Sequence, residues 1–214
     1  MKVDLHVHSK YSKRCGYMEP KEIVRVAMHR GLQGIAVTDH DTIKGGLKAK
    51  EYETDDFKVI TGLEVMTDRG EIIGFFLSDE IQARDFEGAV EEIRDQNGIV
   101  IVPHPFDSFR KSALHPTERD LKFIDGVEGF NSRCISQKSN KDAVEFGIQN
   151  RLLVTAGSDA HFVNEIGMAG ILTSGEDIRE SILSGDFETF GIRSGFYNHV
   201  FTKGLKAWRK IKQF

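Results

Sequence analysis

Val3-Asp4-Leu5-His6-Val7-His8 places two imidazoles two residues apart in a strand-like run. Residues i and i+2 of a strand face the same side, so His6 and His8 can grip one ion together. The same kind of signal recurs where other apolar runs end: Thr38-Asp39-His40-Asp41, Gly62-Leu63-Glu64, Val102-Pro103-His104-Pro105 and Gly157-Ser158-Asp159-Ala160-His161. A solitary histidine is more often a packing or surface residue than a ligand. Imidazoles and carboxylates repeated at the ends of strand-length runs describe something else: strand ends that converge on a polynuclear metal site.

The rest of the chain supplies strands and helices in alternation. Val3–Val7 precedes a helical run, Pro20–Arg30, with Ile23, Val24, Val26 and Ala27 at helical spacing and Gly31 as its stop. Gly34–Thr38 reads as a strand, Thr42–Tyr52 as a helix and Val59–Leu63 as a strand. A turn at Asp68-Arg69-Gly70 then makes a hairpin with Glu71–Leu77. Ala83–Gln96 is amphipathic and stops at Asn97-Gly98. Ile99–Val102 has the continuous apolar character of a buried parallel strand. Gly126–Phe130, Ser139–Gln149, Leu152–Ala156, Met168–Leu172 and Ile178–Ser184 continue the pattern. Repeated βαβ units predict a parallel sheet, and their number predicts a barrel. Barrels of this kind build their sites at the C-terminal ends of the strands, where the His and acid clusters lie.

Composition narrows the class. A chain of 214 residues suits one α/β domain spanning 1–214. A net charge of −4 carries no broad basic footprint for nucleic acid. Two cysteines, Cys15 and Cys134, give no disulfide framework and point to a reducing compartment. No apolar run approaches the roughly 20 residues that span a bilayer, and a charged strand opens the chain where a signal peptide would stand. The expectation is a cytoplasmic protein with no membrane partner.

His6, His8, Glu64 and Asp159 come from three strands and offer two imidazoles and two carboxylates, a suitable shell for Zn²⁺, Mn²⁺ or Fe²⁺. His104 can serve a second ion with Glu64 bridging, and His40 with His161 a third. Metals about 3.5–4 Å apart clamp phosphate esters by acidifying water, orienting phosphorus and neutralising the leaving oxygen.

These motifs, with Val127-Glu128-Gly129-Phe130-Asn131-Ser132-Arg133, resemble the polymerase and histidinol phosphatase (PHP) superfamily of metal-dependent phosphoesterases, in order and over nearly the whole chain. The resemblance implies a distorted, TIM-like (β/α)7 barrel with up to three metals. It implies ligand roles for His6, His8, His40, Glu64, His104, Asp159 and His161. The chain departs from the family at two places. Ser12-Lys13-Arg14-Cys15-Gly16 stands where members commonly have Ser-Asp-Gly or another His. Glu71 stands in the hairpin where many have a His. Two firmly held ions and a weaker third are therefore expected.

Phosphate needs donors besides metals. Arg133, beside Asn131, is the first choice. Lys13 and Arg14 can reach the pocket, Arg193 can line its rim, and Lys44 and Arg110 are expected to be solvated. His29, His115 and His199 stand outside the motifs and are read as non-ligands. The cationic segment Lys203–Lys212 is expected to be an outer helix packing one face on the barrel. The function predicted is hydrolysis of a small phosphomonoester through a metal-bridging hydroxide, with Glu64 bridging and, if the third metal is absent, His40 or His161 protonating the leaving group. The alternatives are a nuclease, disfavoured by the acidic charge and the lack of aromatic-basic interleaving, and a non-catalytic metal-binding module.

Overall fold

The computed structural model describes residues 1–13 and 15–212, with the side chains of residues 206 and 208–212 set aside. Arg14 lies outside the described residues. The elements run β1 (Lys2–Val7), α1 (Pro20–His29), β2 (Gly34–His40), α2 (Lys44–Lys50), β3 (Lys58–Thr67), β4 (Gly70–Phe75), α3 (Phe86–Asp95), β5 (Ile99–Val102), β6 (Gly126–Asn131), α4 (Gln137–Gln149), β7 (Leu153–Gly157), β8 (Ala169–Leu172), α5 (Ile178–Ser184), β9 (Glu188–Gly191) and α6 (Phe196–Lys212).

Local chemistry accounts for the helix ends. Pro20 opens α1, where its missing N–H costs nothing, and Gly31 closes the turn at φ +75°. Asp85 caps α3 by accepting from Gly88 N. Between β5 and β6 no α-helix forms among the described residues. That connection holds only a short 3₁₀ turn, Glu118–Asp120, capped reciprocally by Thr117 and Asp120.

The strands make one sheet in the order β7-β6-β5-β4-β3-β2-β1-β8-β9. β1, β2 and β3 run parallel, as do β5, β6 and β7, but β4 is antiparallel to both neighbours. The sheet almost closes on itself. Val7 bridges Ala160 just beyond β7, with His8 N donating to Ala160 O (2.9 Å) and Ala160 N donating to His6 O (3.2 Å). β1 is thus split. Its end meets the β7 side, while Lys2 and Val3 pair antiparallel with β8.

The result is a seven-strand barrel of β1 to β7, with the β8–β9 hairpin added at β1. The reversal of β4 is the expected hairpin; β8 and β9 are reversed as well, which departs from the expected parallel alternation, and β9 has no strand signal in sequence. The reversal of β4 matters for the site. An antiparallel strand begins at the end where its parallel neighbours finish, so Glu71 near the start of β4 arrives beside Glu64 near the end of β3.

Alternation then sorts side chains. One face of β3 carries Ile60, Gly62 and Glu64, and one face of β4 carries Glu71, Ile73 and Phe75. Ile60, Ile73 and Phe75 join Ala36, Ile99 and Ile101 in one apolar cluster. The acids continue the same rows at the far end. A one-residue slip would turn Glu64 out of the barrel. The opposite faces pack under helices: Ile35 and Val37 against α1, and Leu63, Val65 and Val100 against α3.

Candidate metal centre

Three strand-end residues here hold left-handed backbone without being glycine: Asp41 (φ 55°), His104 (φ 33°) and Asp159 (φ 54°). Such conformations persist only where surrounding contacts over-determine them, and they cluster at functional sites. His104 and Asp159 project into a buried cluster with His6, His8, His40, Glu64, Glu71 and His161.

The hydrogen bonds behind the cluster fix its chemistry. His6 Nδ1 points at Glu128 Oε1 (3.0 Å), so that nitrogen carries the proton and donates. Ser12 Oγ donates to Asp39 Oδ1 (2.7 Å) and accepts from His40 N (3.0 Å). Its remaining lone pair accepts from His8 Nδ1 (3.2 Å). With both Nδ1 atoms engaged behind them, the two Nε2 atoms face each other 3.0 Å apart. Glu64 Oε2 lies 3.5 Å from His8 Nε2 and 3.7 Å from His6 Nε2, and Asp159 Oδ1 lies 3.3 and 3.7 Å from them. Carboxylates and ring nitrogens crowded at one spot need positive charge among them, a proton on His6 in the metal-free site or a metal ion in its place. The donor set, two imidazoles and two carboxylates, fits a transition-metal ion.

Glu64 faces further donors. His40 Nδ1 lies 3.0 Å from its Oε2, and His104 Nε2 lies 3.0 Å from its Oε1. Glu71 closes this side, 3.7 Å from His40 Nδ1 and 3.6 Å from His104 Nε2. Three groupings can each hold an ion: His6/His8/Glu64, His40/Glu64/Glu71 and His8/His40/His161. They share Glu64, His8 and His40.

Electrostatics follow from crowding. Burial opposes ionisation of Glu64, but His40, His6 and His104 hold it well below the usual carboxylate range. Burial likewise opposes the Asp159 anion, and Arg110 and His6 overcome it. Burial works against charge on His6 too, yet Glu128, Asp159 and Glu64 raise it well above an ordinary imidazole. His161 is held well below by burial, then by His8 and Arg133, and so stays a neutral donor.

The proposed substrate contacts are placed differently from one another. Arg133 is buried, and its Nη1 donates to both Glu165 oxygens (2.7 and 2.8 Å). Asn131 is buried, donating to Glu128 Oε2 (2.8 Å) and accepting from Arg133 N (2.9 Å). Lys13 and Lys44 are exposed. Arg193 donates to Ile135 O (2.5 Å) and lines a smaller neighbouring hollow with Cys134 and His199. His29 and His115 are exposed. Arg133 also lines the main cavity, and two groups that the sequence reading set aside face it as well. Arg110, expected to be solvated, donates to Asp159 Oδ2 (2.6 Å) and Asp107 Oδ2 (3.1 Å). His199, half-buried, is pushed down to about 4 by burial and the nearby Arg133 and Arg110.

Arg110, His199, His40, Asp159 and His161 line one cavity of about 370 Å³. Sequence reasoning also missed Glu128 and Ser12 as orienters of His6 and His8. The signal for Glu128 was available, a buried acid inside the quoted Val127–Arg133 motif. Gly157 explains the fit around it: a Cβ there would stand 2.4 Å from His6 Cβ and 2.6 Å from Glu128 Oε1.

The PHP domain family matches residues 4–170. The chain belongs to the PHP domain family. Among similar proteins, the uncharacterized protein MJ1587 of Methanocaldococcus jannaschii is 41% identical over 143 residues, 62% of this chain and 82% of that one. MJ0417 of the same organism is 38% identical over 177 residues, covering 80% and 70%. A Bacteroides vulgatus two-domain protein containing a predicted PHP-like metal-dependent phosphoesterase shares the fold at TM-score 0.75 and 18% identity. That match covers 90% of this PHP chain and spans 65% of the Bacteroides one. No helix among the described residues is long and apolar enough to cross a membrane.

Proposed function

We propose that this PHP protein is a metal-dependent phosphoesterase acting on a small phosphomonoester. The observation that carries the reading is the facing pair of Nε2 atoms on His6 and His8, ringed by the carboxylates of Glu64 and Asp159. Seven residues, His6, His8, His40, Glu64, His104, Asp159 and His161, would hold two or three Zn²⁺, Mn²⁺ or Fe²⁺ ions, with Glu71 as a further acid. Ions held there would activate water for in-line attack, orient the phosphorus and neutralise the departing oxygen.

The side chains do the rest. Glu64 joins the His6/His8 donors to the His40 and His104 donors. Arg110 sits where phosphoryl oxygens would arrive beside Asp159 and can give them a charged hydrogen bond. Where only two ions are bound and His40 is not a ligand, His40, 28% exposed and lining the cavity, can reach a leaving-group oxygen to protonate it. His161, kept neutral, suits ligation better than proton delivery. The cavity is of small-molecule size, near the lower end of the roughly 300–1,000 Å³ usual for such pockets. The net charge of −4 withholds the counterion-release gain that drives polynucleotide binding.

The test is metal analysis after chelator-free purification, then initial rates on a monoester panel against a labelled oligonucleotide at matched Mn²⁺. At least two ions per chain and faster monoester cleavage are expected. Chelation should lower the melting temperature by roughly 5–10 °C, since saturation at 100 times Kd adds about 2.7 kcal/mol. Less than one ion per chain, unrecovered by Mn²⁺ or Zn²⁺, would remove the metal centre. Faster nucleotide release from the oligonucleotide would make the protein a nuclease.

A further inference from the structure

The cavity holding the candidate metal centre has a wall outside the family match. That match ends at residue 170, yet Phe196, His199, Val200 and Lys203 of α6 line the same cavity as His40 and Asp159.

A buried ion pair seats this helix. Arg133 Nη1 grips both oxygens of Glu165, and its Nη2 donates to Thr202 Oγ1 on α6 (2.9 Å). Glu165 Oε1 accepts from Ser194 Oγ (2.5 Å), just before the helix, and Glu165 Oε2 from His161 N (3.0 Å). Asn198, buried in the first turn of α6, donates to the same Ser194 Oγ (2.9 Å). One carboxylate therefore ties the loop carrying His161 to the helix forming the wall. A charge-assisted arginine grip of this kind sets orientation as well as energy.

The wall is apolar where it meets solvent. Phe196 and Val200 are 68% and 57% exposed, and Phe109, lining the same cavity, is 65% exposed. Clustered exposed apolar side chains at the mouth of a polar, metal-ligating pocket fit a ligand whose reacting end is charged and whose body is not.

We infer that α6 is the substrate-selecting wall of this site, favouring phosphate esters of alcohols with a flat apolar or aromatic body over polyol phosphates, and that the Arg133–Glu165 pair positions it. The inference rests on the phosphoesterase reading. Arg133 is then a positioning residue, acting through the helix and not by touching phosphate.

The experiment compares kcat/KM for 2-phenylethyl phosphate and glycerol 3-phosphate, both esters of primary alcohols, with the metal-loaded full chain. The wild type should prefer the phenylethyl ester by on the order of tenfold, the scale of a few apolar contacts. The double variant Phe196→Ser, Val200→Ser should lose that preference through KM, keeping kcat on glycerol 3-phosphate and metal content. Arg133→Ala should lose it too, and Arg133→Lys should recover part. The double variant removes exposed side chains and opens no core, so it decides the matter even if Arg133→Ala fails to fold. A wild-type ratio near one, or an unchanged ratio in the double variant, overturns the inference while leaving the phosphoesterase standing. Hydrolysis of neither ester by metal-loaded wild type, with the monoester panel also inert, overturns both.

Discussion

Arg110 donates to Asp159 Oδ2 at 2.6 Å while the other oxygen of the same carboxylate, Oδ1, faces His8 Nε2 at 3.3 Å. One acid is thus shared between a fixed guanidinium and the spot where the imidazole Nε2 atoms converge. The arginine neutralises the outer oxygen and leaves the inner one to ligate.

On the proposed phosphoesterase reading, Arg110 would stand beside the reacting phosphate. Arg110→Gln should keep metal content near wild type and lower kcat/KM for a monoester about 10- to 100-fold, the worth of a charged hydrogen bond of about 1.5–3 kcal/mol. Steady-state kinetics with metal analysis on the same samples checks it. Unchanged kinetics would leave Arg110 as a structural partner of Asp159 and Asp107.

Ser12 carries a separate expectation. Its hydroxyl fixes the His8 tautomer by donating to Asp39 while accepting from His8 Nδ1. Ser12→Ala should weaken metal affinity by about 10- to 100-fold, the usual scale for loss of an outer partner of a ligating histidine. Competition against a chromophoric chelator measures this. Affinity equal to wild type would mean that packing alone orients His8.

Glu71 gives the pH dependence. Burial and the Glu64 carboxylate push it up from 4.5 to about 7. Between those values the metal-free native state keeps a proton that the unfolded chain has lost. The contribution of Glu71 to metal-free stability therefore falls as pH rises through that window. Coordination requires the carboxylate, so metal loading at about pH 6 must expel that proton, and loading at about pH 8 need not. Calorimetry in buffers of different ionisation enthalpy should count about one more proton released by wild type than by Glu71→Gln at the lower pH, with the gap closing at the higher. Equal counts at both would take Glu71 out of the centre.

Much of this centre is legible in the chain because its donors sit on strands of period two. His6 and His8 mark each other locally, and Glu64 and Asp159 each close an apolar run. The barrel of β1 to β7 follows from those same runs, and the Asp68-Arg69-Gly70 turn announced the β3–β4 hairpin. The reversal of β8 and the existence of β9 were not legible. The Glu188–Gly191 stretch is largely exposed, so no buried face imprints a pattern on it, and the short buried run of β8 fits either direction.

By itself the sequence determined which residues can ligate and at which end of the barrel they gather. Spacing along a strand decides on which side a side chain leaves it. Only the tertiary structure decided what stands behind and around those ligands. Glu128 lies 122 residues from the His6 it orients, and Arg110 lies 49 from the Asp159 it neutralises. Arg133 grips Glu165 and, 69 residues on, Thr202. Such pairs have no periodicity to read. They form because barrel closure buries polar groups together, and a buried charge or donor must find its partner wherever the fold has brought one.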